Sequence, residues 1–258
     1  MKLRDMPKES TRRLSILCLD GNSIDLLDDT PEGKQVLSKK YEGLYILDVN
    51  QHSNLSEYGF IVADNYRLSK GTILVLSPYD SHVYAEIGNA RDIFSIQKAD
   101  YFFEFCQKVG ASFIELSEIK VQLSEDMIKF MTDGNHPIGE VRAEFERKKK
   151  EQLSYELTRT MKLADSKPNL TAAKTLLINN NLMADSIFRQ LYNMRSHELE
   201  ENGSPIKEYE QKINLVKTHE QSLDFVLNIN FPQFACSGGY SRACKEIYEC
   251  ESSIKVIF

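Results

Sequence analysis

The chain has 258 residues, 41% hydrophobic and 27% charged, with 13 Phe, 12 Tyr and no Trp; that is enough apolar material for one large domain or two small ones. Its net charge of −6 and a pI near 5.5 exclude a protein that coats nucleic acid or anionic membrane through bulk charge. No run reaches the roughly eighteen apolar residues of a membrane span, and Met1 to Arg13 lacks the apolar segment of a secretory signal. The expectation is a cytoplasmic protein whose five cysteines are reduced, with Cys18 and Cys106 as small core residues.

Leu14 to Leu19, Asp20-Gly21-Asn22 and Ser23 to Leu27 read as a β-hairpin around an Asp-Gly turn. Thr30 and Pro31 mark a helix start, the first as cap and the second at the first helical position, with the helix running to about Lys40. Strands are expected at Leu44 to Val49, Tyr58 to Ala63 and Thr72 to Leu76, and again at His82 to Ile87 after a Ser77-Pro78-Tyr79-Asp80 turn. From Ala90 to Val109 the period becomes helical, with Phe94, Tyr101, Phe102, Phe105 and Val109 on one face and Gly110 as the stop. A strand follows over Phe113 to Val121.

The texture changes at Asp133-Gly134-Asn135-His136-Pro137. Ile138, Val141, Phe145, Leu153, Leu157 and Met161 then recur at helical steps, with Lys149 filling one slot. Pro168 ends that helix, Asn169 caps a second bearing Leu170, Ala173 and Leu177, and a third carries Ile187, Phe188, Leu191 and Tyr192. Ile206, Tyr209, Ile213, Val216 and Leu223 follow the spacing of a helical seam, with a strand over Lys212 to Val216 as the competing reading. Phe225 to Phe231 and Ile254 to Phe258 read as strands. The class is α+β: a strand-rich N-terminal domain over residues 1–134, then a helical middle and C-terminal strands in 135–258; either Pro137 marks a true domain boundary or the C-terminal strands join the same sheet and make one continuous domain.

No strong catalytic motif lies on this layout. There is no phosphate loop, dinucleotide fingerprint or nucleophile elbow, and no cofactor is indicated. Four weaker constellations stand out. Glu118 and Lys120, two apart on a strand, project together as in metal-dependent nucleases, with Asp100, Asp92 or Glu86 as the second carboxylate; a cross-strand or solvent-facing ion pair explains them better. Asp80, His82 and Glu86 lie at even steps and suit a divalent ion, although a turn also accounts for exposed polar residues. Cys236, Cys244 and Cys250 are spaced more widely than zinc pairs, and His219 would be their fourth ligand. Arg142 and Arg147-Lys148-Lys149-Lys150 form a basic run for nucleic acid, extended by Lys2, Arg4, Lys8, Arg12 and Arg13 if the fold gathers them. The interleaved Glu140, Glu144, Glu146 and Glu151 suit a solvated helix better. The leading expectation is a non-catalytic interaction or assembly protein with a protein partner or a second copy. A nuclease and a nucleic-acid-binding module are the rivals.

Overall fold

The computed structural model describes residues 14–37, 43–51, 55, 59–63, 68–123, 151–164, 167–200, 205–215 and 248–258. The fold is α+β, with helices and two sheets in two compact units; the described chain passes from the first unit to the second at Ile93/Phe94. Among the described residues no helix is long and apolar enough to cross a membrane.

The first unit is built on a five-stranded mixed sheet, order β2-β1-β4-β5-β3: β1 (Ser15–Leu19), β2 (Leu44–Asp48), β3 (Ile61–Val62), β4 (Ile73–Leu76) and β5 (Val83–Glu86). β1 runs parallel to β2 and antiparallel to β4. All five residues of β1 are buried, because the sheet is covered on both faces. Leu17, Leu19, Ile46, Ile73 and Val75 pack with Ile24 and Leu27 on one side; Ile16, Cys18, Leu47, Leu74, Leu76 and Tyr84 pack with Leu55 and Phe60 on the other. That double burial is why the strand reads as a continuous apolar run.

The expected hairpin after β1 is instead helix α1 (Gly21–Asp28). Asp20 is extended and its carboxylate accepts the Ser23 N–H at 2.9 Å, so it caps a helix where an Asp-Gly turn was expected. Ile24 and Leu27 are buried while Leu26 is 63% exposed, which is a three-residue and not a two-residue period. Helix α2 (Pro31–Leu37) starts as expected, with the Thr30 hydroxyl accepting from Gly33 N–H at 3.0 Å. Strands β2 to β5 fall within the expected segments, β3 reduced to two residues.

The second unit holds most of helix α3 (Ala90–Lys108), helices α4 (Leu170–Asn179) and α5 (Ser186–Glu200), and an antiparallel sheet ordered β7-β6-β9-β8. Its strands are β6 (Phe113–Leu123), β7 (Arg159–Lys162), β8 (Glu208–Asn214) and β9 (Tyr248–Ile257). Gly110 ends α3 with φ +88°, a conformation glycine adopts at little cost. Asn169 caps α4 through Ala172 N–H at 2.9 Å. Phe188 of α5 lies edge-on to Phe102 and tilted against Phe105, with ring centroids 5.6 and 5.4 Å apart. One face of the sheet buries Ile114, Leu116, Ile254, Val256, Tyr209 and Ile213.

Three expectations are corrected here. The helix expected to reach Met161 stops at residue 157, and Arg159–Lys162 form β7 against β6. Within the seam from Ile206, Glu208–Asn214 form strand β8, which overlaps the competing strand reading over Lys212 to Val216; its two buried side chains, Tyr209 and Ile213, are four apart, a step that keeps one face on a helix and on a strand alike. Finally, the C-terminal strand β9 joins β6 of the N-terminal part, but not the sheet of β1, so first and last strands lie in different sheets. The expected break at Pro137 and the expected strand at Phe225 to Phe231 lie outside the described residues.

Candidate functional site

A groove of about 530 Å³ lies between α3 and β7, lined by Asp100, Phe103, Glu104, Gln107, Arg159, Thr160 and Met161. The helix contributes residues at three- and four-residue steps, 100, 103, 104 and 107, which share one face. Phe103 is buried and Met161 is 39% exposed, so the groove has apolar walls open to solvent. Its three charged side chains are all paired. Arg159 binds Asp100 through its guanidinium and donates its Nε–H to the Glu156 carbonyl at 2.6 Å. Glu104 pairs with Lys108 one turn along α3 at 3.1 Å.

The lining residues carry no thiol or imidazole, and their charged side chains are engaged with one another or with a neighbour. The groove thus presents an apolar surface framed by ion pairs.

The residues singled out from the sequence are placed as follows. Asp100 is in the groove, bound to Arg159; Glu118 accepts from the Ser253 hydroxyl at 2.9 Å. Glu118 has φ +50°, and the β6–β9 register shifts between Ser117 and Lys120. The bulge interrupts the two-residue alternation on which the shared face of Glu118 and Lys120 was argued. Asp80 and His82 meet, with Asp80 Oδ1 accepting the His82 backbone N–H at 2.8 Å and lying 3.5 Å from Nδ1. Glu86 turns instead to its own loop and accepts from Gly88 N–H at 2.9 Å. Among the described residues no three His, Cys, Asp or Glu side chains are gathered to hold a metal ion.

Cys250 is buried at the start of β9, while Cys236, Cys244 and His219 lie outside the described residues, as do Arg142, Arg147, Lys148, Lys149 and Lys150. Burial pushes the Cys18 thiol up to about 12 and raises Cys106 well above its ordinary value, so both are inert core thiols.

Two further polar constellations emerge. Lys98, 4% exposed, reaches from α3 to Asp185 Oδ2 at 2.6 Å and to the Asn214 carbonyl at 2.5 Å. Arg195 of α5 is buried, donates its Nε–H to the Val109 carbonyl at 3.1 Å, binds Glu198, and stacks 4.1 Å over the Phe258 ring. Both are internal ties between elements of the second unit.

The sequence reading missed Phe103, Arg159, Thr160 and Met161. A Thr-rich run at 158–160 was the available strand signal, but the helical period before it masked the change. No protein-family model matches the chain, and no curated protein or solved structure matches it either.

Proposed function

We propose that the protein is a non-catalytic interaction protein that engages a protein partner through the α3–β7 groove. The observation that supports this most is the groove itself: Phe103 and Met161 give it apolar walls, and every charge around it is neutralised by a neighbour. A docking surface calls for apolar anchors within a satisfied polar rim, which this groove supplies. The unpaired, buried thiols of Cys18 and Cys106 suit a reducing compartment such as the cytoplasm.

The test is affinity capture from the native cell extract with the full chain and with Met161→Asp. Met161 is partly exposed, so the substitution places a charge in the groove at small cost to the fold. A partner retained by the parent chain and lost from the variant is the expected result. A clean monomer that captures nothing, or an unchanged set of captured proteins, would sink the reading. The nuclease rival predicts Mg²⁺-dependent cleavage that Glu118→Ala abolishes. The nucleic-acid rival predicts salt-sensitive binding that falls when Arg147 to Lys150 are neutralised.

A further inference from the structure

The direction in which β7 offers its backbone specifies what kind of partner the groove suits. Leu163 donates its N–H to the Ser112 carbonyl at 2.8 Å, and the register continues through Lys162–Phe113, Met161–Ile114, Thr160–Glu115 and Arg159–Leu116. Hydrogen-bonded and non-bonded pairs alternate along an antiparallel ladder. Met161 and Arg159 therefore bond toward β6, and Thr160 and Lys162 aim their N–H and C=O groups away from it. Among the described residues nothing pairs with that side, since β7 is the outer strand of the order β7-β6-β9-β8.

The side chains sort just as clearly. Arg159 and Met161 stand opposite Leu116 and Ile114, which are fully buried, so they lie on the inner face toward Phe103. A strand laid against the outer edge of β7 would set its own inward side chains beside Met161, over the groove. Backbone donors and acceptors next to a side-chain pocket are the two parts of strand-addition recognition: the first gives affinity and the second gives specificity.

We propose that the outer edge of β7 accepts an extended segment of a partner protein as a fifth strand, with an apolar side chain seated between Met161 and Phe103. This rests on the interaction reading above and names the class of partner. The edge is four residues long and the groove about 530 Å³, the scale of a short segment bearing one or two anchors. A stable interface between two folded chains needs roughly 1,200–2,000 Å², more than four residues of edge and one groove offer by themselves, which favours a peptide segment over a second copy. Lys162, exposed on the outer face, favours an acidic residue opposite it.

The test uses a displayed library of random nine-residue peptides against the full chain. The expected result is a set of binders with apolar residues at alternate positions. Binding slows amide exchange at Thr160 and Lys162 about tenfold or more. Thr160→Pro weakens it by about tenfold, because proline removes an outward donor and leaves the bonds to β6 in place. The exchange measurement on the parent chain stands even if that variant folds poorly. Binders that leave both amides unprotected would overturn strand addition while preserving the interaction reading. An absence of binders, or a dimer by native mass spectrometry whose contact protects the same amides, would overturn the proposal.

Discussion

Lys98 gives the sharpest test of how the second unit is held together. Its ammonium is enclosed, 4% exposed, between Asp185 Oδ2 at 2.6 Å and the Asn214 carbonyl at 2.5 Å. Replacing it by Met keeps the length of the stem and removes the charge. The Asp185 carboxylate, 13% exposed, then loses its counter-charge in the interior. Removing one partner of a buried pair costs about 3–5 kcal/mol, because the other is left uncompensated. Asp185 keeps its bond from the Ile187 N–H at 3.0 Å and some access to water, which places Lys98→Met near the lower end, about 3 kcal/mol. Asp185→Asn preserves the acceptor for the Ile187 N–H and removes the counter-charge of the ammonium, which keeps the Asn214 carbonyl, so a similar loss is expected. The double variant removes both charges, and its cost should fall below the sum of the singles by about 2 kcal/mol. Urea denaturation at neutral pH measures all four proteins, and amide exchange along α3 and α5 assigns the change to this unit. A loss under about 1 kcal/mol for Lys98→Met, or singles that add in the double, would show that the pair is effectively solvated and refute the reasoning.

Other expectations follow from single sites. The Ser23 hydroxyl and backbone N–H, with Lys70 beyond them, lower Asp20 from 3.8 to about 2 in the fold. A depressed carboxylate stabilises fully above its unfolded value and loses that contribution as pH falls through the folded one. The melting-temperature gap between the parent chain and Asp20→Ala should therefore hold near neutral pH and shrink between about pH 4 and pH 2; a gap independent of pH would contradict it. At Gly33 an added Cβ would sit 2.0 Å from the Leu27 carbonyl oxygen. Gly33→Ala should thus cost at least the upper end of the ~1–3 kcal/mol of an overpacked site, read as a lowered urea midpoint. Gly110→Ala must adopt φ +88° and press 3.1 Å against Pro168. A loss of about 1–2 kcal/mol is expected from the backbone alone, and unchanged stability would show that the loop relaxes.

How far the fold was legible depended on whether a local signal had one interpretation or two. The Thr30-Pro31 start and the Asn169 cap were read directly, because a capping side chain and the N–H it serves lie within three residues. The Ala90–Lys108 helix announced itself through aromatic residues at three- and four-residue steps and a terminal glycine. Asp20-Gly21 misled because the same pair suits a hairpin turn and a helix cap. The choice between them is made by which of Leu26 and Leu27 is buried, a tertiary fact. Strand β8 was hidden by the four-residue step from Tyr209 to Ile213, which a strand and a helix satisfy equally.

The candidate site was less legible than the fold, for a physical reason. Sequence patterns announce chemistry when it needs particular residue types at fixed spacing, and the α3–β7 groove needs none. It joins Phe103 to Met161, far apart in the chain, and the strand edge beside it is backbone. What Thr160 and Lys162 offer is decided by the parity of the ladder with β6, and any residue except proline would offer the same groups. Glu118 shows the converse. Its pairing with Lys120 looked like chemistry from spacing alone, yet one positive φ and a register shift sit at the step on which that spacing depended. A recognition edge of this kind is written in pairing order rather than in side chains, so proline scanning of β7, with loss expected at 160 and 162 by blocked binding and at 161 by a broken ladder, discriminates it better than alanine scanning.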